Sequence, residues 1–261
     1  MNVAEAVGRA LCAAGVGQVF GVVGSGNFHV TNAMVAAGAR FVAARHEGGA
    51  ATMADAYART SGTVAAVSVH QGPGLTNAMT GITEAAKSRT PLVVLAAEVT
   101  EPRSNFYVDQ EALARAVGAV TVRVTSAEEA VEQACSAVRL AVGERRTVLL
   151  NLPLPVQALE VPDGAPAQAA PPQRAVVEPD ADEVAALSRL LGQARRPVFV
   201  AGREHAGRAV ARPWSRSPSG TARCWRPQPS PTGSSTAIPG PWASPAASPR
   251  PWPPNCSRAP T

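Results

Sequence analysis

Glu47 is the residue of this chain whose neighbours best suit proton chemistry. An apolar run at 41–44 leads into Arg45-His46-Glu47-Gly48-Gly49-Ala50-Ala51. A buried strand ending here and a small-residue helix beginning here would leave the carboxylate poorly solvated, able to exchange a proton with a bound heterocycle. The plainer reading is a first-turn glutamate favoured by its helix dipole. A second signal, His70-Gln71-Gly72-Pro73-Gly74-Leu75-Thr76-Asn77, follows another apolar run at 64–69. Gly72, Pro73 and Gly74 make a stiff turn through which backbone can approach a flat ring closely; a simple strand–helix turn is the alternative. A strand-end histidine such as His70 is more often structural than catalytic.

These groups need elements to hold them. Apolar positions repeat with helical spacing over 3–14. Strands are expected at 18–22, 41–44, 64–69, 92–96, 120–124 and 147–152. Helices are expected at 30–37, 48–60, 76–88, 110–117 and 127–142. Strands that are apolar throughout and alternate with helices predict an α/β fold, a doubly wound parallel sheet with helices on both faces. We place this domain at 1–160, a Pro/Ala-rich linker at 161–179, and the start of a second, incomplete α/β domain at 180–205, with a helix at 180–193 and a strand at 197–202.

Composition narrows the classes. The chain has 261 residues, 46% apolar and only 4% aromatic, so Ala and Val must fill the core. No run of about 18 apolar residues suggests a membrane span, and the N-terminus lacks the pattern of a secretory signal. A cytoplasmic protein without a membrane partner is expected. Cys12 and Cys135 read as small buried residues on helices, and no cysteine–histidine spacing suggests a metal site.

The formal net charge is +5. Seven arginines follow Glu204 with no acidic residue among them, so removing those seven leaves −2 for residues 1–204. The tail, 206–261, also holds all four tryptophans and loses hydrophobic periodicity. One reading is a disordered basic tail. Another is a shifted reading frame. Joining the last base of each codon to the first two of the next turns Trp242-Ala243 into Gly, Trp252-Pro253 into Ala, and Cys224-Trp225 and Asn255-Cys256 into Leu, and the degenerate positions permit a continuous domain-like text. In that case the arginines do not mark a nucleic-acid surface, although the pattern superficially fits one.

In order and spacing, Phe20-Gly21-Val22-Val23-Gly24-Ser25-Gly26, the segment around Glu47, the Gly-Pro-Gly loop and Thr90-Pro91-Leu92-Val93-Val94-Leu95 resemble the pyrimidine-binding N-terminal domain of thiamine-diphosphate enzymes. This group contains acetolactate synthase, benzoylformate decarboxylase and benzaldehyde lyase. The resemblance runs from about residue 3 to about residue 200. It implies that Glu47 hydrogen-bonds the cofactor's aminopyrimidine and promotes formation of the thiazolium carbanion. It places Gly72, Pro73, Gly74, Thr76 and Asn77 beside the pyrimidine, and turns Gly24, Ser25 and, with a weaker case, His29 toward substrate. Ser25 and His70 match the benzoylformate decarboxylase type, where acetolactate synthases usually carry other residues. Gln110 resembles a glutamine lining carboligase sites. Phe28, Phe106 and Tyr107 read as pocket walls or core.

The resemblance further implies a 2-oxo acid or aldehyde substrate and a homo-oligomer (dimer or tetramer). The Mg²⁺ that holds the diphosphate belongs to a C-terminal domain carrying Gly-Asp-Gly, which this sequence does not contain. FAD enters for the full-length enzyme, because some acetolactate synthases bind it through the middle domain. Three readings follow. The chain is the pyrimidine-binding part of a lyase or carboligase, inactive alone; or it is one subunit of a split enzyme; or it is a non-catalytic binder using its basic tail.

Overall fold

The computed structural model describes residues 1–162 and 178–195. Two compact units divide the chain, Met1–Glu178 and Pro179–Thr261. In the first unit six strands form one sheet: β1 (Gln18–Gly21), β2 (Arg40–Ala43), β3 (Ala65–Val69), β4 (Leu92–Glu98), β5 (Val120–Arg123) and β6 (Thr147–Pro153). Every neighbouring pair is parallel, in the order β2-β1-β3-β4-β6-β5. The expected α/β class with a parallel sheet is what folds.

Helices cover both faces, because the central strands are apolar on both sides. On one face, Val3, Val7 and Leu11 of α1 (Val3–Ala13), Val30 and Met34 of α2 (Phe28–Ala36), and Ala134 and Val138 of α6 (Ala130–Gly143) pack on Val19, Val93, Leu95, Val148 and Leu150. On the other, α3 (Glu47–Ser61), α4 (Pro73–Lys87) and α5 (Gln110–Val117) cover Phe20, Val67, Val94 and Leu149. A short α7 (Leu154–Gln157), not foreseen in the sequence, closes the unit. Cys135 is buried on α6, as expected; Cys12 on α1 is only partly so.

Helix starts differ most from expectation. The fourth helix begins at Pro73, three residues early, because Gly72 adopts φ +60° and Pro73 needs no amide hydrogen in the first turn. The second begins at Phe28 and the sixth at Ala130.

Alanines and glycines let α3 and α4 approach closely. A Cβ on Gly81 of α4 would lie 2.6 Å from Ala51 Cβ and 2.9 Å from the Thr52 backbone nitrogen of α3. Farther along, Asp55 of α3 is buried, accepts from Thr90 Oγ1 at 2.6 Å and pairs with Arg59. The sheet fixes the other half of the geometry. The chain leaves β1 toward β2 on one side while β3 lies on the other, and a crevice opens at the C-terminal ends of β1 and β3, where α/β proteins gather ligands.

The second unit is described only at 179–195. There α8 (Ala181–Gln193) is capped by Asp180, whose side chain accepts from the amides of Asp182 and Glu183. Most of the expected linker, the expected strand at 197–202 and the 206–261 tail lie outside the described residues. Among the described residues no helix is long and apolar enough to cross a membrane.

The helix contact gives a test. Gly81→Ala is expected to destabilise the fold by about 1–3 kcal/mol through overpacking. Gly49→Ala, on α3 with open space around its Cβ, is expected to be neutral or stabilising by up to about 1 kcal/mol. Denaturant melts of the two variants check the contrast.

Candidate functional site

Three loops meet at the crevice: 22–27 after β1, 44–46 after β2, and 70–72 after β3. Glu47 is the first residue of α3, and the Nδ1 of His46 before it caps the helix by accepting from the Gly48 amide at 3.0 Å. The Glu47 carboxylate reaches the start of α4, where Asn77 Nδ2 donates to its Oε2 at 3.1 Å. Its Oε1 lies 3.5 Å from where a Cβ on Gly74 would stand. Two helix N-termini, each with a partial positive charge, therefore flank one carboxylate. The sequence suggested a poorly solvated Glu47. In this chain it is only partly buried, because the crevice side is open.

His70 packs against the 22–27 loop, the start of α4 and Phe106. A Cβ on Gly24 would lie 2.9 Å from its Nδ1, and one on Gly74 would lie 3.0 Å from its Cβ. The Gly26 amide donates to Nδ1 at 3.4 Å, which assigns the imidazole proton to Nε2. The Phe106 ring meets the imidazole edge-on, with centroids 5.7 Å apart. Burial pushes the His70 pKa below its ordinary value, and the negative charge of Glu47 partly offsets this. His70 is thus held as a neutral imidazole next to a carboxylate.

The Gly-Ser-Gly loop keeps its shape through Asn27, a buried residue the sequence reading passed over. Its Oδ1 accepts from the Gly24 amide at 2.9 Å and its Nδ2 donates to Val22 O at 3.2 Å. An asparagine directly after Gly-Ser-Gly was the available signal. Ser25 is exposed on this loop. His29 is exposed on α2, its ring against Phe28. Phe106, read as wall or core, is exposed, and its carbonyl lies 2.5 Å from where a Cβ on Gly72 would stand. Only glycine lets the 99–109 segment cross the turn there. Thr76 spends its hydroxyl on Pro73 O at 3.1 Å, and Pro73 is exposed.

Gln110 is buried at the start of α5, and its Nε2 donates to Ala97 O at 2.8 Å. These contacts tie it to the end of β4 rather than to Glu47. Gln71 is also buried, and its Oε1 has no hydrogen-bond partner; a Cβ on Gly26 would stand 2.1 Å from it. The structure therefore brings together Glu47, Asn77, Gly74, His70, Gly24 and Gly26. It leaves Ser25 exposed at the rim, His29 on α2 and Gln110 on the β4 side. Among the described residues no group of three or more His, Cys, Asp or Glu side chains is placed to hold a metal.

Known proteins are similar to this chain in sequence and fold. Residues 1–122 match the family described as thiamine pyrophosphate enzyme, N-terminal TPP binding domain. The chain is 34% identical over 212 residues to a probable 2-ketoarginine decarboxylase of Pseudomonas aeruginosa, covering 77% of this chain and 37% of that protein. It is 42% identical over 109 residues to the acetolactate synthase isozyme 3 large subunit of Escherichia coli, covering 41% and 19%. A solved structure, the thiamine diphosphate-dependent 4-hydroxybenzoylformate decarboxylase of Rhodococcus jostii RHA1, superimposes with a TM-score of 0.69 at 27% identity, covering 78% of this chain and 40% of that one. The chain spans well under half the length of each of these relatives.

The electrostatics of His70 can be read by NMR. Its titration midpoint is expected below that of an exposed histidine, and Glu47→Gln is expected to lower it further by removing the charge that offsets burial. Because the folded pKa is depressed, the stabilising contribution of neutral His70 is present above the unfolded pKa and is lost as pH falls through the folded value. His70→Phe should flatten that acid limb of a stability–pH profile.

Proposed function

We propose, for a chain that belongs through its N-terminal TPP binding domain to the thiamine pyrophosphate enzymes, that it supplies the pyrimidine-binding half of a thiamine-diphosphate lyase or carboligase, acetolactate-synthase-like in the broad sense and acting on a 2-oxo acid. The observation that carries this reading is the Glu47–Asn77 contact at the joined N-termini of α3 and α4, facing a glycine-cleared crevice. The residues present fit the cofactor's ring. A Cβ at Gly72 or Gly74 would crowd the turn, and the Glu47 carboxylate can hydrogen-bond a ring nitrogen. Bound thiamine diphosphate supplies a nucleophilic carbon that adds to the substrate carbonyl.

The remaining roles belong to side chains. Glu47 holds and exchanges the proton on the pyrimidine side, and Asn77 orients its carboxylate. Gly72, Pro73 and Gly74 let the ring approach, with Thr76 shaping the turn from which α4 starts. His70, neutral with its proton on Nε2, can donate to a developing oxyanion or to a substrate carboxylate. Gly24 and Ser25 border the substrate, with His29 farther out. Gln110 shapes the site from the β4 side. The match of Ser25 and His70 to benzoylformate decarboxylases, together with the structural likeness to a 4-hydroxybenzoylformate decarboxylase, favours 2-oxo acid decarboxylation over ligation.

The 261 residues contain no Gly-Asp-Gly, so the diphosphate and its Mg²⁺ are assigned to a domain outside this sequence, reached in a homo-oligomer or on a separate subunit. This chain alone is then a binder without turnover. FAD, if used, belongs to the middle domain.

Titrating the ¹⁵N-labelled chain with the cofactor's pyrimidine fragment, 4-amino-5-(aminomethyl)-2-methylpyrimidine, tests the reading. Shifts are expected at Glu47, Gly48 and the 70–77 loop, and Glu47→Gln should weaken them; shifts absent from those amides would refute it. In an enzyme completed with a diphosphate domain, Glu47→Gln is expected to lower kcat by about 10²–10⁴-fold. His70→Ala should slow turnover while leaving cofactor affinity in place.

A further inference from the structure

Gln157 ends α7, the short helix that follows directly on β6. It is buried, and its side-chain nitrogen serves two carbonyls. Nε2 donates to Leu152 O at 2.9 Å, five residues back, and to Gly26 O at 3.2 Å, 131 residues away along the chain. Closing α7 onto β6 needs only the first bond. The second reaches the loop after β1. The end of α7 is itself anchored: Val156 packs on the core, and the Val3 amide of α1 donates to Leu159 O at 2.9 Å.

Gly26 is where the long-range bond acts. Its amide donates to His70 Nδ1 and its carbonyl accepts from Gln157, so one buried residue is tied on both sides. No side chain can stand there, because a Cβ would lie 2.1 Å from Gln71 Oε1 and 2.8 Å from Ala97 Cβ. The residue presenting an amide to His70 is therefore a glycine, the type with the widest choice of backbone dihedrals. Its own conformational preference does not hold the amide in place. The Asn27 side chain fastens the loop at Val22 and Gly24, and neither of those bonds engages Gly26. Gln157 supplies the hold on Gly26 itself.

We propose that Gln157 is a positioning residue for His70: by fixing the Gly26 carbonyl it keeps the Gly26 amide on Nδ1 and the imidazole proton on Nε2. The inference rests on the reading above, in which His70 donates that proton at the substrate, and it adds a support from beyond the last strand. Which imidazole nitrogen carries the proton is set by the bond made at the other. Glutamine suits the task because one amide nitrogen carries two hydrogens for two carbonyls. A glutamate would set its charge against both, and an aliphatic side chain would take this donor from the buried Gly26 carbonyl.

The experiment is ¹⁵N NMR of the full chain, without cofactor, reading the His70 ring nitrogens and the Gly26 amide. In the unaltered chain above the His70 midpoint, Nδ1 should show the shift of an unprotonated acceptor and the Gly26 amide should be protected from exchange. Gln157→Met and Gln157→Leu remove the amide at similar volume. Loosening the Gly26 donor weakens a bond that favours the neutral ring, so the His70 midpoint is expected to rise in both, by roughly half a pH unit. Glu47, whose charge acts on His70, is untouched by either change. Exchange of the Gly26 amide should quicken roughly fivefold. Val138→Ala, which opens a cavity under α6, destabilises the fold by another route and should leave His70 unmoved. A protonated Nδ1 or an unprotected Gly26 amide in the unaltered chain would overturn the proposal before any variant is made. So would a His70 midpoint that stays put in a folded Gln157 variant, or one that moves as far in Val138→Ala. These readouts can fail while the pyrimidine fragment still binds at Glu47, which separates this inference from the cofactor reading it rests on.

Discussion

The close approach of α3 and α4 is the constraint on which the rest of the site depends. It is possible because Gly81 has no side chain where Ala51 and the Thr52 backbone pass. Two helices so near one another bring their first turns to the same place, and a carboxylate at one is then within reach of an amide at the other, as Glu47 and Asn77 are. The chain's composition follows from this demand. Large side chains at the contact would separate the helices, so Gly81 and Ala51 stand there, while Leu75 and Ile82 of α4 turn their bulk into the core with Leu92 and Leu149 of the sheet.

The second constraint is the turn from β3 into α4. Gly72 takes a positive φ and also lies under the Phe106 carbonyl, so one residue serves both the turn and the crossing segment. His70, just before it, is confined by Gly24, Gly26, Gly74 and Phe106. Its tautomer is therefore set by the Gly26 amide, and its position by two glycines and an aromatic ring. A site built this way holds its side chains by packing and backbone hydrogen bonds before anything binds, which is the condition for precise proton transfer.

Much of this was readable in the sequence. The parallel sheet was legible because β3, β4 and β6 are apolar on both faces, a pattern that antiparallel edge strands lack. Glu47 and the Gly-Pro-Gly turn were legible because they sit at strand-to-helix junctions. The exposure of Glu47 was not, since small neighbours make close packing available without saying what covers the open side. Thr76 read as a cofactor neighbour, and the local bond its hydroxyl makes to Pro73 O is one that the sequence pattern does not reveal. Gln110 read as lining the same site. Its burial against Ala97 depends on how α5 docks on the end of β4, a tertiary relation with no signature in the ten residues between Val99 and Gln110.

The edge of the sheet thus carries two environments of opposite polarity. Around Glu47 the backbone offers amide donors from two helix starts. Around Glu98 the side chains offer acceptors, with Arg123 the single cation among them. They adjoin through Ala97, whose carbonyl takes the Gln110 bond and whose Cβ would lie 2.8 Å from a Cβ on Gly26. Gln71 and Gln110 flank this boundary, each with an unpaired side-chain oxygen. Buried amides of this kind are tolerated where a polar occupant completes them.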